Sequence, residues 1–389
     1  MKKLFALSLS LLMMVSCSSA QKEIQVGALS FDEYLPLLEG KRVSILSNQT
    51  GMVSSTTHLL DTLLDMGVNV VSIMSPEHGF RGVADAGEHV SSSIDPDTGI
   101  PIRSLYESGV NRPSDESMAE FDVMVFDLQD VGVRFYTYNA TMARMMDACA
   151  QFGKKMIVLD RPNPLGYYVD GPILDMKYKS GVGWLPVPVV HGMTLGELAL
   201  MINGEGWLKD GIQCDLTVVP CKNYTRDMEY VLPIKPSPNL PDMRSIYLYP
   251  STCYFEATPV SLGRGTDKPF QIYGHPDMTG YDFSFTPRSV PGAKNPPQLD
   301  KLCYGVDLSS LPIEEIKARG INMEYVIDAY NNLKLDDKKM FRSFFELLIG
   351  QGYVREMIVE GKSAAEIEAM WADDVVKFKE QRAPYLIYE

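Results

Sequence analysis

Four short apolar runs, each ending in a polar residue and most followed by a helical pattern, constrain this chain more than any other feature. Arg42 to Ser47 (RVSILS) ends at Asn48. Val68 to Met74 (VNVVSIM) ends at Pro76-Glu77. Phe121 to Phe126 (FDVMVF) ends at Asp127, and Lys155 to Leu159 (KMIVL) ends at Asp160. Between them lie an amphipathic helix over Thr56 to Met66, with Leu59, Leu60, Leu63 and Leu64 on one face and Gly67 as its stop, and a second helix over Ala140 to Phe152. Repeats of this kind predict an α/β fold, with a Rossmann-like parallel sheet covered by helices on both faces. The pattern extends through Thr194-Leu195-Gly196-Glu197, which has the form of a capping box, and through Asp215 to Val219, a further strand.

From Thr225 to Pro312 the texture changes to Pro, Gly, Tyr and Ser with short apolar pieces, which reads as irregular β structure. Helical patterns return at Phe341 to Ile349 and from Ser363 to about Gln381. The expected organisation is a Rossmann-like catalytic domain over 22–230 and a smaller α+β C-terminal domain over 231–389. The 389 residues allow two domains.

The first twenty residues read as an export segment. Lys2 and Lys3 precede an apolar stretch, Leu4 to Val15, that is short for a bilayer span. Met14-Val15-Ser16-Cys17 resembles a lipobox and would place a lipid anchor on Cys17. Ser18-Ser19-Ala20 resembles an ordinary cleavage site. Either way the expected location is exported and periplasmic, lipid-anchored under the first reading. The remaining five cysteines are odd in number and widely spaced, which predicts free thiols and no zinc site. A formal net charge of −14 disfavours nucleic acid, whose phosphates need a basic face. No metal or cofactor motif is present, and none is expected.

In open α/β sheets, ligands bind beyond the carboxyl ends of the strands. Asn48, Glu77, Asp127 and Asp160 all fall there, and three are carboxylates. Two carboxylates flanking a glycosidic bond are the usual apparatus of glycoside hydrolysis. The structural alternative is that such residues cap the following helix or fix a turn. Arg81, Arg134, Arg161 and Arg264 lie in the densest motif stretches of an acidic chain. Their planar forks suit an anionic substrate, or else pair with the nearby carboxylates. Tyr136 is among the aromatics beside these groups, where a sugar face could pack. Glu77 and Asp127 are therefore assigned to catalysis. Asn48, His78, Arg81, Arg134, Tyr136, Asp160, Arg161 and Arg264 are assigned to substrate binding.

Five segments carry a resemblance: Ser47-Asn48-Gln49-Thr50-Gly51, Ser75-Pro76-Glu77-His78-Gly79, Phe126-Asp127-Leu128-Gln129-Asp130-Val131-Gly132, Asp160-Arg161-Pro162-Asn163-Pro164 and Pro236-Ser237-Pro238-Asn239-Leu240-Pro241. Together they resemble the exo-β-N-acetylmuramidase family, as do Ser261 to Thr266 and Arg382 to Tyr388. The resemblance implies a cleft between two domains and release of N-acetylmuramic acid from the non-reducing ends of peptidoglycan fragments, in cell-wall turnover and recycling. It also implies that Glu77 is the catalytic residue. The rival class is a periplasmic binding protein for an anionic amino sugar, which would share export and cleft but not need Glu77. An esterase or amidase lacks support, since there is no G-x-S-x-G elbow and no H-E-x-x-H.

Overall fold

The computed structural model describes residues 22–76, 80, 92–105 and 112–389. Glu77, His78 and Arg81 lie outside the described residues, as does the expected export segment.

The first part of the chain runs α1 (Phe31–Leu38), β1 (Val43–Ser47), α2 (Leu59–Asp65), β2 (Val70–Ser75), β3 (Ser93–Ile94), β4 (Pro101–Ser104), α3 (Asp115–Ala119), β5 (Val123–Asp127), α4 (Tyr138–Phe152), β6 (Lys155–Leu159), α5 (Leu195–Gly204) and β7 (Asp215–Val219). The strands form one sheet in the order β3-β4-β2-β1-β5-β6-β7. All neighbours are parallel except β3, which pairs antiparallel with β4. With β3 set aside, the order is that of the Rossmann fold, and the direction of winding reverses between β1 and β5. Val43 pairs with Val123 and Ser47 with Asp127, so both strands end level at that point.

Both faces of this sheet are covered, which is why its strands read as unbroken apolar runs. Val43, Ile45, Val125 and Ile157 pack on one side with Leu59 and Leu63 of α2. Leu46, Met124, Phe126, Met156 and Val158 point to the other side, against Met142 and Met146 of α4. That second core continues without a break into the C-terminal part, reaching Ile246, Phe270 and Phe345.

The C-terminal part contains α6 (Met243–Thr252), β8 (Ile272–His275), β9 (Phe283–Phe285), β10 (Cys303–Asp307), α7 (Ile313–Arg319), α8 (Glu324–Leu333) and further helices ending with Ala372–Arg382. Its three strands form an antiparallel sheet, β8-β10-β9. The molecule is thus α/β, with a seven-stranded mixed sheet first and a smaller domain of antiparallel sheet and helices after it.

Several elements differ from expectation. α2 begins at Leu59, because His58 is its cap; the His58 Nδ1 accepts from the Leu60 N–H at 3.1 Å. α6 lies inside the stretch expected to be irregular β. Its capping box pairs Asp242 with Ser245, and Pro250 falls within it. The last expected helix is two. It ends at Ala369 and restarts at Ala372. At the break, the Trp371 Nε1 donates to Asp170 Oδ1 at 2.9 Å. The five cysteines are free and buried.

Candidate active site

The loops leaving β1 and β5 meet at the switch point, and side-chain bonds lock them together. Asn48 is fully buried. Its Oδ1 accepts from the Thr50 N–H at 2.9 Å and the Thr50 hydroxyl at 2.6 Å, and its Nδ2 donates to the Tyr138 hydroxyl at 2.6 Å. Thr50 Oγ1 in turn accepts from the Gln129 N–H at 3.1 Å. Asn48 was assigned to substrate; its amide instead holds the two loops in register.

Asp127 and Arg161 form an enclosed fork. The Arg161 Nε donates to Asp127 Oδ1 at 2.6 Å and its Nη2 to Oδ2 at 2.9 Å. The carboxylate is fully buried and the guanidinium nearly so. With both oxygens taken, Asp127 has no free face for a substrate, contrary to the catalytic role assigned from sequence. Arg161 is likewise committed, since its Nη2 also donates to the Met52 carbonyl.

Asp160 and Arg134 are also structural, and both were assigned to substrate. Asp160 accepts from the Thr194 hydroxyl at 2.6 Å, the Gly196 N–H at 2.8 Å and the Tyr388 hydroxyl at 2.6 Å. It anchors the start of α5, which is the helix-capping alternative. Burial pushes its carboxyl up to about 6, against those three donors. Arg134 is fully buried, and its two terminal nitrogens donate to the carbonyls of Pro172, Val187, Leu348 and Ile349. A guanidinium spent on four carbonyls inside the protein cannot read a ligand.

Two assigned residues do reach open space. Tyr136 and Arg264 line a narrow cavity together with Tyr138, Asn239, Tyr249 and Phe270. The Tyr136 hydroxyl donates to the Pro236 carbonyl at 2.8 Å, and its ring stands edge-on to Tyr138. The Arg264 guanidinium lies 5.4 Å from the centre of the Phe270 ring and is ion-paired with Glu256. Glu256 and Arg264 also line a second, wider cavity of about 380 Å³ with Leu262, Lys294, Asn295 and Pro296. A larger hollow of about 580 Å³ lies between α1 and the start of β2, lined by residues such as Phe31 and Asn69. It sits at the amino ends of the strands, away from every candidate residue, and is not the site.

Glu256, which follows Tyr254 and Phe255, lies in none of the motif segments read from the sequence. The motif Pro236 to Pro241 contributes Ser237, Asn239 and Leu240 to the narrow cavity. Asp130 is the other residue underrated. Its Oδ2 accepts from the Gly132 N–H at 2.7 Å, while Oδ1 is buried with no donor. Burial pushes this carboxyl up to about 7, opposed by the N–H groups of Gly132 and Val131. Gly132 has φ +84°, and a Cβ there would meet Asn163 Oδ1 at 2.1 Å. Gln49 Oε1 and Gln129 Oε1 also lack donors. The switch point therefore carries three unpaired acceptors on the loops after β1 and β5, an unusual density for buried oxygen.

The sequence matches two family models in succession. Residues 43–244 match the N-terminal part of the exo-β-N-acetylmuramidase NamZ, and residues 247–388 its C-terminal part. The chain belongs to the NamZ family. A relative described as peptidoglycan β-N-acetylmuramidase NamZ, from Bacillus subtilis (strain 168), is 37% identical over 373 residues, 92% of this chain and 89% of the relative. Two crystal structures of DUF1343 family proteins from Bacteroides fragilis NCTC 9343 share the fold. One is 60% identical with a TM-score of 0.88, covering 95% of this chain and 99% of its own. The other is 30% identical with a TM-score of 0.78, covering 94% and 99%. Membership in NamZ makes the chain a glycosidase.

Proposed function

We propose that this NamZ-family chain is an exported exo-β-N-acetylmuramidase. It releases N-acetylmuramic acid from the non-reducing ends of peptidoglycan fragments, in cell-wall turnover and recycling. The observation that carries the reading is Arg264. It places a guanidinium on the wall of an aromatic-sided cavity beside the carboxyl edge of the sheet. Muramic acid differs from N-acetylglucosamine by a lactyl carboxylate, and a planar fork is the side chain suited to bind one. The description of the Bacillus subtilis relative as a peptidoglycan β-N-acetylmuramidase supports the same substrate.

Glu77 serves as the general acid. In sequence it comes two residues after Ser75, the last residue of β2. It protonates the glycosidic oxygen as that bond breaks. The export segment delivers the enzyme to the periplasm, lipid-tethered through Cys17 or cleaved after Ala20. The test is turnover of a nitrophenyl glycoside of N-acetylmuramic acid beside that of N-acetylglucosamine. The muramic compound should be hydrolysed preferentially, and Arg264→Ala should narrow the preference by tenfold or more, on the order of one lost charge-assisted bond. Binding of the muramic sugar without turnover would instead identify a binding protein.

A further inference from the structure

Glu256 and Arg264 are the two residues common to both cavities, and among the described residues that line them Glu256 is the one carboxylate. Their ion pair engages one atom of each. The Arg264 Nη2 donates to Glu256 Oε1, and the Arg264 Nε is buried. Among the described residues, the Arg264 Nη1 and the Glu256 Oε2 have no hydrogen-bond partner. The pair therefore keeps one donor and one acceptor uncommitted. Asp127 and Asp160 differ, since donors of the protein already occupy their oxygens.

The fold fixes where these two atoms stand. Glu256 sits on a 3-10 turn, Cys253–Ala257, at the end of α6. Cys253, Tyr254, Phe255 and Ala257 are buried in the core, so the turn has little freedom, while the Glu256 side chain remains 23% exposed. Arg264 is pinned over Phe270. The wider cavity, about 380 Å³, is of a size that holds a small ligand, whereas the narrow one, about 90 Å³, has room for one arm of a sugar and not for its ring. The pair belongs to the walls of both, where a ring would meet its arm.

We propose that Glu256 reads the free end of the glycan: its uncommitted oxygen accepts a hydrogen bond from the 4-hydroxyl of a terminal muramic acid whose lactyl carboxylate lies on Arg264. This rests on the muramidase reading above. The lactyl ether is on O3, so the carboxylate arm and the 4-hydroxyl leave neighbouring ring carbons. An acceptor beside a donor on the ligand then meets a donor beside an acceptor on the protein. In an interior residue O4 is an ether oxygen with lone pairs and no proton. A carboxylate has only lone pairs to set against it, and both groups are left unpaired at a cost. N-acetylglucosamine offers the hydroxyl without the carboxylate, and interior muramic acid the carboxylate without the hydroxyl. Terminal muramic acid satisfies both halves of the pair. The acetamido N–H on C2 also flanks O3, but it is the same in terminal and interior residues and cannot mark an end.

The experiment uses the full chain and two nitrophenyl glycosides, that of N-acetylmuramic acid and its 4-deoxy analogue. For the wild type, loss of the 4-hydroxyl should lower kcat/KM about ten- to a hundredfold, the worth of one hydrogen bond to a charged group. Glu256→Ala should lower kcat/KM on the parent glycoside by a similar factor, chiefly through KM, and should treat the two glycosides alike within threefold. A wild type that hydrolyses the 4-deoxy compound within threefold of the parent overturns the role, whether or not the variant folds. So does a folded Glu256→Ala protein that keeps the full wild-type penalty. A hundredfold fall in its kcat at unchanged KM would put Glu256 in the chemistry and also overturns it. Absence of wild-type turnover of the parent glycoside overturns the muramidase reading itself, and this role with it.

Discussion

Arg161 grips Asp127 from the side, with Nε 2.6 Å from one carboxylate oxygen and Nη2 2.9 Å from the other, the carboxylate fully enclosed and the guanidinium nearly so. The pair joins the ends of β5 and β6 beneath the site. Breaking such a pair leaves an uncompensated buried charge, at a cost of about 3–5 kcal/mol. Asp127→Asn should therefore lose that much in urea denaturation, with any fall in activity tracking the unfolded fraction. A stable Asp127→Asn enzyme with kcat reduced a thousandfold would return Asp127 to the reaction.

Arg134 makes a similar argument without a partner charge. Its four acceptors are main-chain carbonyls. Each buried acceptor left bare costs about 1–3 kcal/mol. Arg134→Met should destabilise the fold by several kcal/mol, read as a fall in melting temperature. Where the variant stays folded, the preference for muramic acid over N-acetylglucosamine should be unchanged.

Asp130 and Asp160 predict the pH dependence of stability. Both carboxyls are pushed up by burial, to about 7 and about 6, from an ordinary 3.8. Between those limits the folded protein holds protons that the unfolded chain has released. Their contribution to stability is fully present below about pH 4 and is lost as pH rises to about 7, at roughly 1.4 kcal/mol per unit for each group. Between about pH 6 and 7 Asp130 dominates, so Asp130→Asn should flatten that part of the curve and raise the melting temperature at pH 8. Calorimetry of both proteins from pH 5 to 8 decides it; parallel curves count against a neutral Asp130.

Glu77→Gln should keep the shape and lose the proton. General acid catalysis contributes about a hundred- to ten-thousand-fold, and kcat on a muramic disaccharide should fall by that order. The loss should shrink on a nitrophenyl glycoside, whose leaving group needs little protonation. Near-normal turnover of the disaccharide by a folded variant removes Glu77 from the mechanism.

The parallel sheet was legible because a strand covered on both faces has to be apolar throughout, and β1, β5 and β6 are. β4 was not, since Pro101-Ile102-Arg103-Ser104 offers only one buried residue. α6 was hidden by its own composition, as Tyr, Ser and Pro250 obscure a period that tertiary packing enforces. The site was harder to read. A buried Asp paired with Arg and an exposed catalytic Asp look alike in sequence, since both are short acids at strand ends. Only the fold shows that Asp127 and Asp160 are turned inward. Glu256 belongs to the second domain, remote in sequence from every strand end, and no periodic pattern could have carried it to the cleft.

The returning end of the chain bears on how the cleft can behave. The Tyr388 hydroxyl reaches Asp160 at 2.6 Å, and the Ile387 N–H donates to Glu197 Oε1 at 2.9 Å. Arg134 clasps the carbonyls of Leu348 and Ile349 from the first domain, and Trp371 reaches across to Asp170. A lobe fastened at one place can swivel, and at two it can swing like a door. Fastened at several separated places, as here, it resists both. The jaws that carry Tyr136 and Arg264 are then set before substrate arrives. Little binding energy is consumed in closing them, and a saccharide must fit the gap as it stands.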